Sequence, residues 1–442
     1  MRSSLYLSLF VTLFYGLVLC DHHEGHKARG GHGNASKHRH TDHHHHHHNH
    51  HHDDKGHDRK HHGSENMTCH KISQPISDFS FQIFNQSLGV GESRNIFFSP
   101  ISIATALAML SVGAKHDTLS HILHGLNFNL SSISIEDIHE SFHHLIQMLN
   151  EADSELQLSM GNALFIKEEL KLVPKFLDDV KSQYHSEAFS TNFKNEEEAK
   201  KQINDYVAKH TNGKIVDFLK SIDQQTAMVL VNYIFFRGKW VMPFDEENTQ
   251  EADFHVDEKT VVKVPMMFRS GMYSTDYDED LSCTVVKMPY KGEASALLII
   301  PNEGKMKQVQ DALSRPTVMK WVKSLAHGRG PVDLFVPKFS ITTTLELKDI
   351  LENLGMTDMF SDLADFSGIT GEPNLKVSKA FHKAMLSIDE KGTEAAGTTI
   401  FEMMPMSLPP TIKVNRPFLI LIYHKKTRST LFMGKIVNPT AN

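Results

Sequence analysis

The chain has 442 residues, 40% of them hydrophobic, and a formal net charge of −7. That length can bury a large core, and three cysteines in so long a chain exclude a disulfide framework. Charge is unevenly placed: residues 21–62 carry seven Lys or Arg against six Asp or Glu, the leader ahead of them carries only Arg2, and the remainder holds −9.

Residues 1–20 combine Arg2, an apolar run from Leu5 to Leu19 and Cys20 at a plausible cleavage point. This predicts a signal peptide and a secreted, extracellular product, because the run falls short of the ~20 residues of a membrane span. Residues 21–65 form a histidine-rich, low-complexity tail. Eighteen of the chain's 31 histidines lie between 21 and 62, including the block His43, His44, His45, His46, His47 and His48. With almost no aliphatic residues, such a segment cannot fold alone. Imidazoles titrate near pH ~6.5, so acid or a bound divalent metal such as zinc would make the tail cationic. Two readings follow: a metal- or pH-gated arm for glycosaminoglycans, or a solvated extension without a partner.

A single globular body is expected from residue 66 to 442. Asn34, Asn66, Asn85 and Asn129 each open an Asn-x-Ser/Thr acceptor, which suits an exported surface. Cys69 reads as a free surface thiol and Cys283, in the β-prone run Leu281–Val286, as a small buried one. Ile138, Phe142, Leu145, Ile146 and Leu149 recur at helical spacing and mark a buried face. On that helix His139-Glu140-Ser141-Phe142-His143 matches a zinc-peptidase pattern, but the histidines flank the apolar stripe and no third ligand follows downstream. Further predicted elements are a strand over Leu156–Ile166, a helix over Glu197–His210 closed by Asn212-Gly213, and a central strand over Ala227–Phe236. No Gly-x-Ser-x-Gly elbow accompanies Ser99 and His382, and no Gly-rich phosphate loop is present.

The most informative stretch is Asp389 to Pro410. From Gly392 to Thr399 every residue but Glu394 is small, and from Phe401 to Pro410 the chain is apolar and proline-punctuated, which favours an extended bait. With alternation as in a strand, Thr393, Ala395, Gly397, Thr399, Phe401 and Met403 share one uncharged face, while Glu394 and Glu402 share the other. Fifteen residues from Gly392 to Met406 would span ~50 Å.

This stretch resembles the reactive loop of inhibitory serpins of the antitrypsin type. Asn95–Pro100, Val231–Trp240, Lys379–Gly397, Asn415–Phe418 and Phe432–Lys435 are similar to serpin motifs in the expected order. The resemblance implies an α+β serpin fold, with multiple helices around a large mixed β-sheet, further smaller sheets and an exposed reactive loop at about 390–410. It implies a reactive bond between Met406 and Ser407 and a hinge of Glu390, Gly392, Thr393, Glu394, Ala395, Ala396 and Gly397. It also implies a sheet-opening cluster of Ser99, Ser102, Asn162 and His382, and a loop-base ion pair of Glu390 with Lys338. The expected protein is a monomeric serine protease inhibitor, not an enzyme, that traps an elastase- or chymotrypsin-like protease covalently and needs no cofactor, nucleic acid or membrane. The alternatives are a non-inhibitory carrier or chaperone and a histidine-rich metal- or polyanion-binding protein on the same scaffold.

Overall fold

In the computed structural model, residues 66–89, 93–151, 156–392 and 408–441 are described. The leader, the tail with His43 to His48 and Asn34, and Thr393 to Ser407 lie outside them.

Helices begin where the sequence supplies caps. After α1 (Ser73–Leu88), α2 (Pro100–Ser111) starts with Ser99, whose hydroxyl accepts from the Ser102 N–H, and with a proline in its first turn. All twelve α2 residues are buried, Ser102, Thr105 and Ser111 among them, so this helix runs inside the core with no side turned to solvent. There follow α3 (His116–Gly125) and α4 (Ile135–Asn150). The latter is capped by Ser134, carries Glu136 and Asp137 in its first turn, and buries Ile138, Phe142, Leu145, Ile146 and Leu149. Each such side chain contributes about 1.5–3 kcal/mol. Next come α5 (Pro174–Tyr184) and α6 (Glu196–His210), the latter capped by Asn195 and closed by Asn212 and Gly213, both at positive φ.

The strands are β1 (Ile96–Phe98), β2 (Leu156–Lys167), β3 (Glu187–Thr191), β4 (Met228–Gly238), β5 (Gln250–His255), β6 (Val261–Asp278) and β7 (Cys283–Pro289). Then follow β8 (Ala294–Pro301), β9 (Gly330–Pro337), β10 (Phe339–Glu346), β11 (Lys379–Ile388), β12 (Thr411–Lys413), β13 (Phe418–His424) and β14 (Ser429–Ile436). They form two sheets. One has nine strands in the order β1-β14-β13-β8-β7-β6-β9-β12, with β5 paired on β6; the other has five, in the order β10-β11-β4-β2-β3. The continuous apolar run of β4 is explained by its central place in the five-stranded sheet, between β11 and β2.

Two features of the five-stranded sheet position the site. Strands β4 and β11 are parallel neighbours, and their pairing runs from Val229–Lys379 to Phe235–Met385 and stops. The last three residues of β11 therefore pair only with β10.

One expectation is corrected. Cys69 is 1% exposed, in a 3-10 turn over Thr68–Ile72 that packs on α4 through Ser141 Oγ to the Thr68 carbonyl and the Cys69 N–H to His144 Nδ1. It is not a surface thiol. Cys283 is fully buried, and burial pushes its thiol up to about 12.

Candidate functional site: the centre of the five-stranded sheet and the loop base

Strand register builds the first half of the site. Asn162 on β2 lies opposite Asn232 on β4, and Asn232 lies opposite His382 on β11, so three polar side chains share one row and one face. Beneath them stands the N-terminus of α2 with Ser99 and Ser102. All five residues are at most 2% exposed.

Burial requires that their polar atoms be paired, and they pair with one another. The Ser99 N–H donates to His382 Nε2 at 2.9 Å. Nε2 is therefore the bare nitrogen, and Nδ1 carries the proton and donates it to Asn232 Oδ1 in a short bond. The Asn232 amide nitrogen donates to Asn162 Oδ1 at 2.5 Å and to Ser102 Oγ at 2.6 Å. Enclosure away from water lowers the His382 pKa to about 3, so the ring is neutral and the network holds no charge. The structure thus brings together Ser99, Ser102, Asn162 and His382 and adds the residue that joins them, Asn232. An amide alone in the apolar run Ala227–Phe236 was the signal that it would need several partners.

The second half lies where the chain leaves β11. Lys338 Nζ sits 2.9 Å from Glu390 Oε2, and the Thr249 hydroxyl donates to Glu390 Oε1 at 2.7 Å. Burial by itself would raise the Glu390 pKa, but these two bonds outweigh it and hold the carboxyl below its ordinary range. The Asp389 carboxyl moves the other way, raised mainly by burial. Trp240 clamps the turn: its indole N–H donates to the Asp389 carbonyl at 3.0 Å and its backbone N–H to the Lys391 carbonyl at 3.1 Å. Gly392 then adopts φ +97°, and a Cβ there would stand 2.5 Å from the Gly238 carbonyl and the Trp240 nitrogen. Only glycine fits that exit.

The remaining sequence candidates fall elsewhere. Asn66, Asn85 and Asn129 are exposed. His139 Nδ1 meets the Tyr184 hydroxyl at 2.5 Å, and His143 Nδ1 donates to the Gln183 carbonyl at 3.0 Å, so both rings are used in fastening α4 to the end of α5. Among the described residues no group of three or more His, Cys, Asp or Glu is placed to hold a metal, and no helix is long and apolar enough to cross a membrane.

A family model described as serpin (serine protease inhibitor) matches residues 74–439. Alpha-1-antiproteinase of Callosciurus caniceps is 52% identical over 376 residues, covering 85% of this chain and 91% of that protein. Alpha-1-antitrypsin of Sus scrofa is 51% identical over 384 residues, 87% of this chain and 90% of the relative. Among solved structures, human thyroxine-binding globulin complexed with thyroxine superposes with a TM-score of 0.80 at 44% identity, over 85% of this chain and 100% of the other. Human glycosylated kallistatin gives 0.81 at 41%, again over 85% and 100%. A row of buried polar groups beneath a parallel strand pair, a glycine-locked loop exit and this degree of likeness together make the chain a member of the serpin family.

Proposed function

We propose that this chain is a secreted inhibitor of serine proteases that is cleaved between Met406 and Ser407, keeps the protease as an acyl-enzyme, and inserts Gly392 to Met406 as a new strand between β11 and β4. The single observation carrying this reading is the parallel β4–β11 junction, whose pairing ends at Phe235–Met385 directly below the exit at Gly392. A strand that turns back from β11 would run antiparallel to both neighbours. Insertion would replace one parallel pairing by two antiparallel ones, the slightly stronger arrangement per residue. The uncharged face from Thr393 to Met403 can pack inward, and Met406, unbranched and apolar, suits elastase- or chymotrypsin-like pockets. In this reading the protein catalyses no reaction of its own, requires no cofactor, is monomeric, and carries glycans at its Asn-x-Ser/Thr acceptors. The histidine tail is an accessory arm that zinc or mild acid turns cationic toward glycosaminoglycans.

Incubation with elastase-like and chymotrypsin-like proteases should give a complex that survives detergent and heat, with the released peptide beginning at Ser407 by mass spectrometry. Thr393→Arg should abolish the complex while cleavage persists, because an unpaired cation cannot enter the sheet cheaply. Cleavage without any stable complex in the unaltered protein would refute trapping and favour the carrier reading, which the 44% identity to a thyroxine-bound relative supports. For the tail, retention on a heparin-like matrix should rise with zinc, or on moving from pH 7.4 to about 6, and a variant lacking residues 21–62 should lose that increment. Equal retention of the two would leave the tail as a solvated extension.

A further inference from the structure

The short strand β12 ends the nine-stranded sheet and pairs, in parallel, only with β9. The Asp333 N–H donates to the Pro410 carbonyl at 3.0 Å and the Val414 N–H to the Phe335 carbonyl at 2.9 Å. Bonding residues alternate along such a ladder, so Pro410, Ile412 and Val414 turn their main chain toward β9. Thr411 and Lys413 turn theirs the other way. Among the described residues no strand takes up this outer edge.

The edge borders a cleft of about 320 Å³, shared with Thr284 and Ile300, register partners on β7 and β8, and with Asn415 and Arg416, which follow β12. Arg416 is half-buried and held by one bond, from Nε to the Pro301 carbonyl at 2.7 Å. Among the described residues its two terminal nitrogens have no hydrogen-bond or ion-pair partner, and neither have the Asn415 carboxamide and the Thr284 hydroxyl. Burial lowers the guanidinium pKa and the charge of Glu303 opposes this, but the two groups form no ion pair. The Lys413 ammonium is engaged elsewhere, 5.2 Å from the ring centroid of its register partner Phe335, so Lys413 offers the cleft its main chain.

An open strand edge presents N–H and C=O groups together, which matches a peptide backbone rather than a plain anion. A guanidinium whose Nε is already tied keeps a planar pair of donors for a carboxylate. Three edge residues span ~10 Å, the length of a short peptide.

We propose that this cleft binds a short extended peptide, which adds a strand to the outer edge of β12 and sets a carboxylate, C-terminal or from an Asp or Glu side chain, on Arg416. The site goes beyond protease inhibition, because it needs neither cleavage at Met406 nor loop insertion.

The test titrates the full-length protein, without protease, against fluorescein-labelled peptides followed by anisotropy. The probes are Thr-Val-Thr-Val with a free C-terminus, the same peptide as C-terminal amide, amide-capped Thr-Val-Glu-Val, and the free acid with alternate backbone nitrogens methylated. At least one of the two carboxylate probes should bind with a Kd below about 1 mM, and the tighter of them identifies the source of the carboxylate. The uncharged amide should bind roughly 10-fold more weakly, and methylation should abolish binding if it removes the edge pairing. Arg416→Gln should bring the carboxylate probe down to the level of the amide. Thr284→Trp fills the cleft without touching Arg416 or β12 and should remove binding of every probe. The comparison of acid, amide and methylated peptides on the unaltered chain stands whether or not either variant folds. Equal binding of acid and amide would overturn the proposal, as would binding that survives Thr284→Trp or failure of both carboxylate probes to bind.

Discussion

The middle of the five-stranded sheet and its loop end are secured by opposite means. In the middle, five neutral, fully enclosed groups satisfy one another around Asn232. At the loop end a charged pair does the work, with Glu390 5% exposed and Lys338 45% exposed. A neutral enclosed network is insensitive to salt but has no substitute partner when one member is lost, because water cannot reach the stranded groups. A half-exposed ion pair responds to salt and acid and is partly replaceable by water. The two places should therefore fail under different conditions.

The largest effect is expected from Asn232→Leu, which keeps the side chain's branched skeleton but replaces the amide by bulkier methyl groups. It strands the His382 Nδ1–H, Asn162 Oδ1 and Ser102 Oγ, and at about 1–3 kcal/mol for each buried unsatisfied group the loss should be at least roughly 3 kcal/mol, read from urea midpoints at unchanged slope. A loss below about 1 kcal/mol would show that the network is not what holds the middle together.

The next effect separates the regions by pH. Burial lowers the folded pKa of His382 to about 3, from an ordinary histidine value of 6.5. Between those limits the unfolded chain holds the extra proton, so stability must fall as pH drops from about 6.5 toward 3, by up to ~1.4 kcal/mol per pH unit. That amounts to about 2 kcal/mol by pH 5, and His382→Gln should remove this component from the difference between the two pH profiles. Glu390, whose folded pKa is lowered, contributes stability that is present above its unfolded value near ~4.3 and is lost only as pH falls through the folded one. Between pH 6 and 5 the middle should respond and the Glu390 pair should not; identical profiles for the unaltered protein and His382→Gln would break the contrast.

Glu390→Lys replaces attraction by repulsion beside Lys338 and leaves Thr249 without its acceptor, a cost of about 2 kcal/mol. The loosened sheet end should accept another molecule's loop and give ladders on native gels after mild heating. Unaltered protein and variant polymerising alike would refute this. The smallest effect is ionic: raising salt from about 0.1 to 1 M should reduce the difference between the unaltered chain and Lys338→Gln by less than about 1 kcal/mol, while the Asn232→Leu difference stays constant.

Legibility in the sequence followed how local each determinant is. The helix expected over Glu197–His210 spans Glu196–His210, because its cap, acidic first turn and closing Asn-Gly are all contiguous. The strand expected over Ala227–Phe236 spans Met228–Gly238 for the same kind of reason, a continuous run of β-prone residues. The loop-base pairing of Glu390 with Lys338 was legible only through family resemblance, since it joins positions 52 apart. Asn232 lies within the motif Val231–Trp240, yet its role as the hub is not legible there, because which groups surround it depends on the register of β2 and β11 and on the end of α2. Cys69 misled because nothing beside it in the chain marks the contact with α4 that covers it.

The enclosure of Cys69 and Cys283 makes the molecule its own stopwatch. Cys69 lies under α4 and Cys283 inside the nine-stranded sheet, each 1% exposed or less, and both thiols are shifted above their ordinary pKa by burial, so little reactive thiolate forms at neutral pH. A thiol-specific reagent can reach either sulfur only while its own layer is open. The two modification rates, followed in one sample by mass spectrometry, would time the breathing of two separate layers of the native fold without an added label.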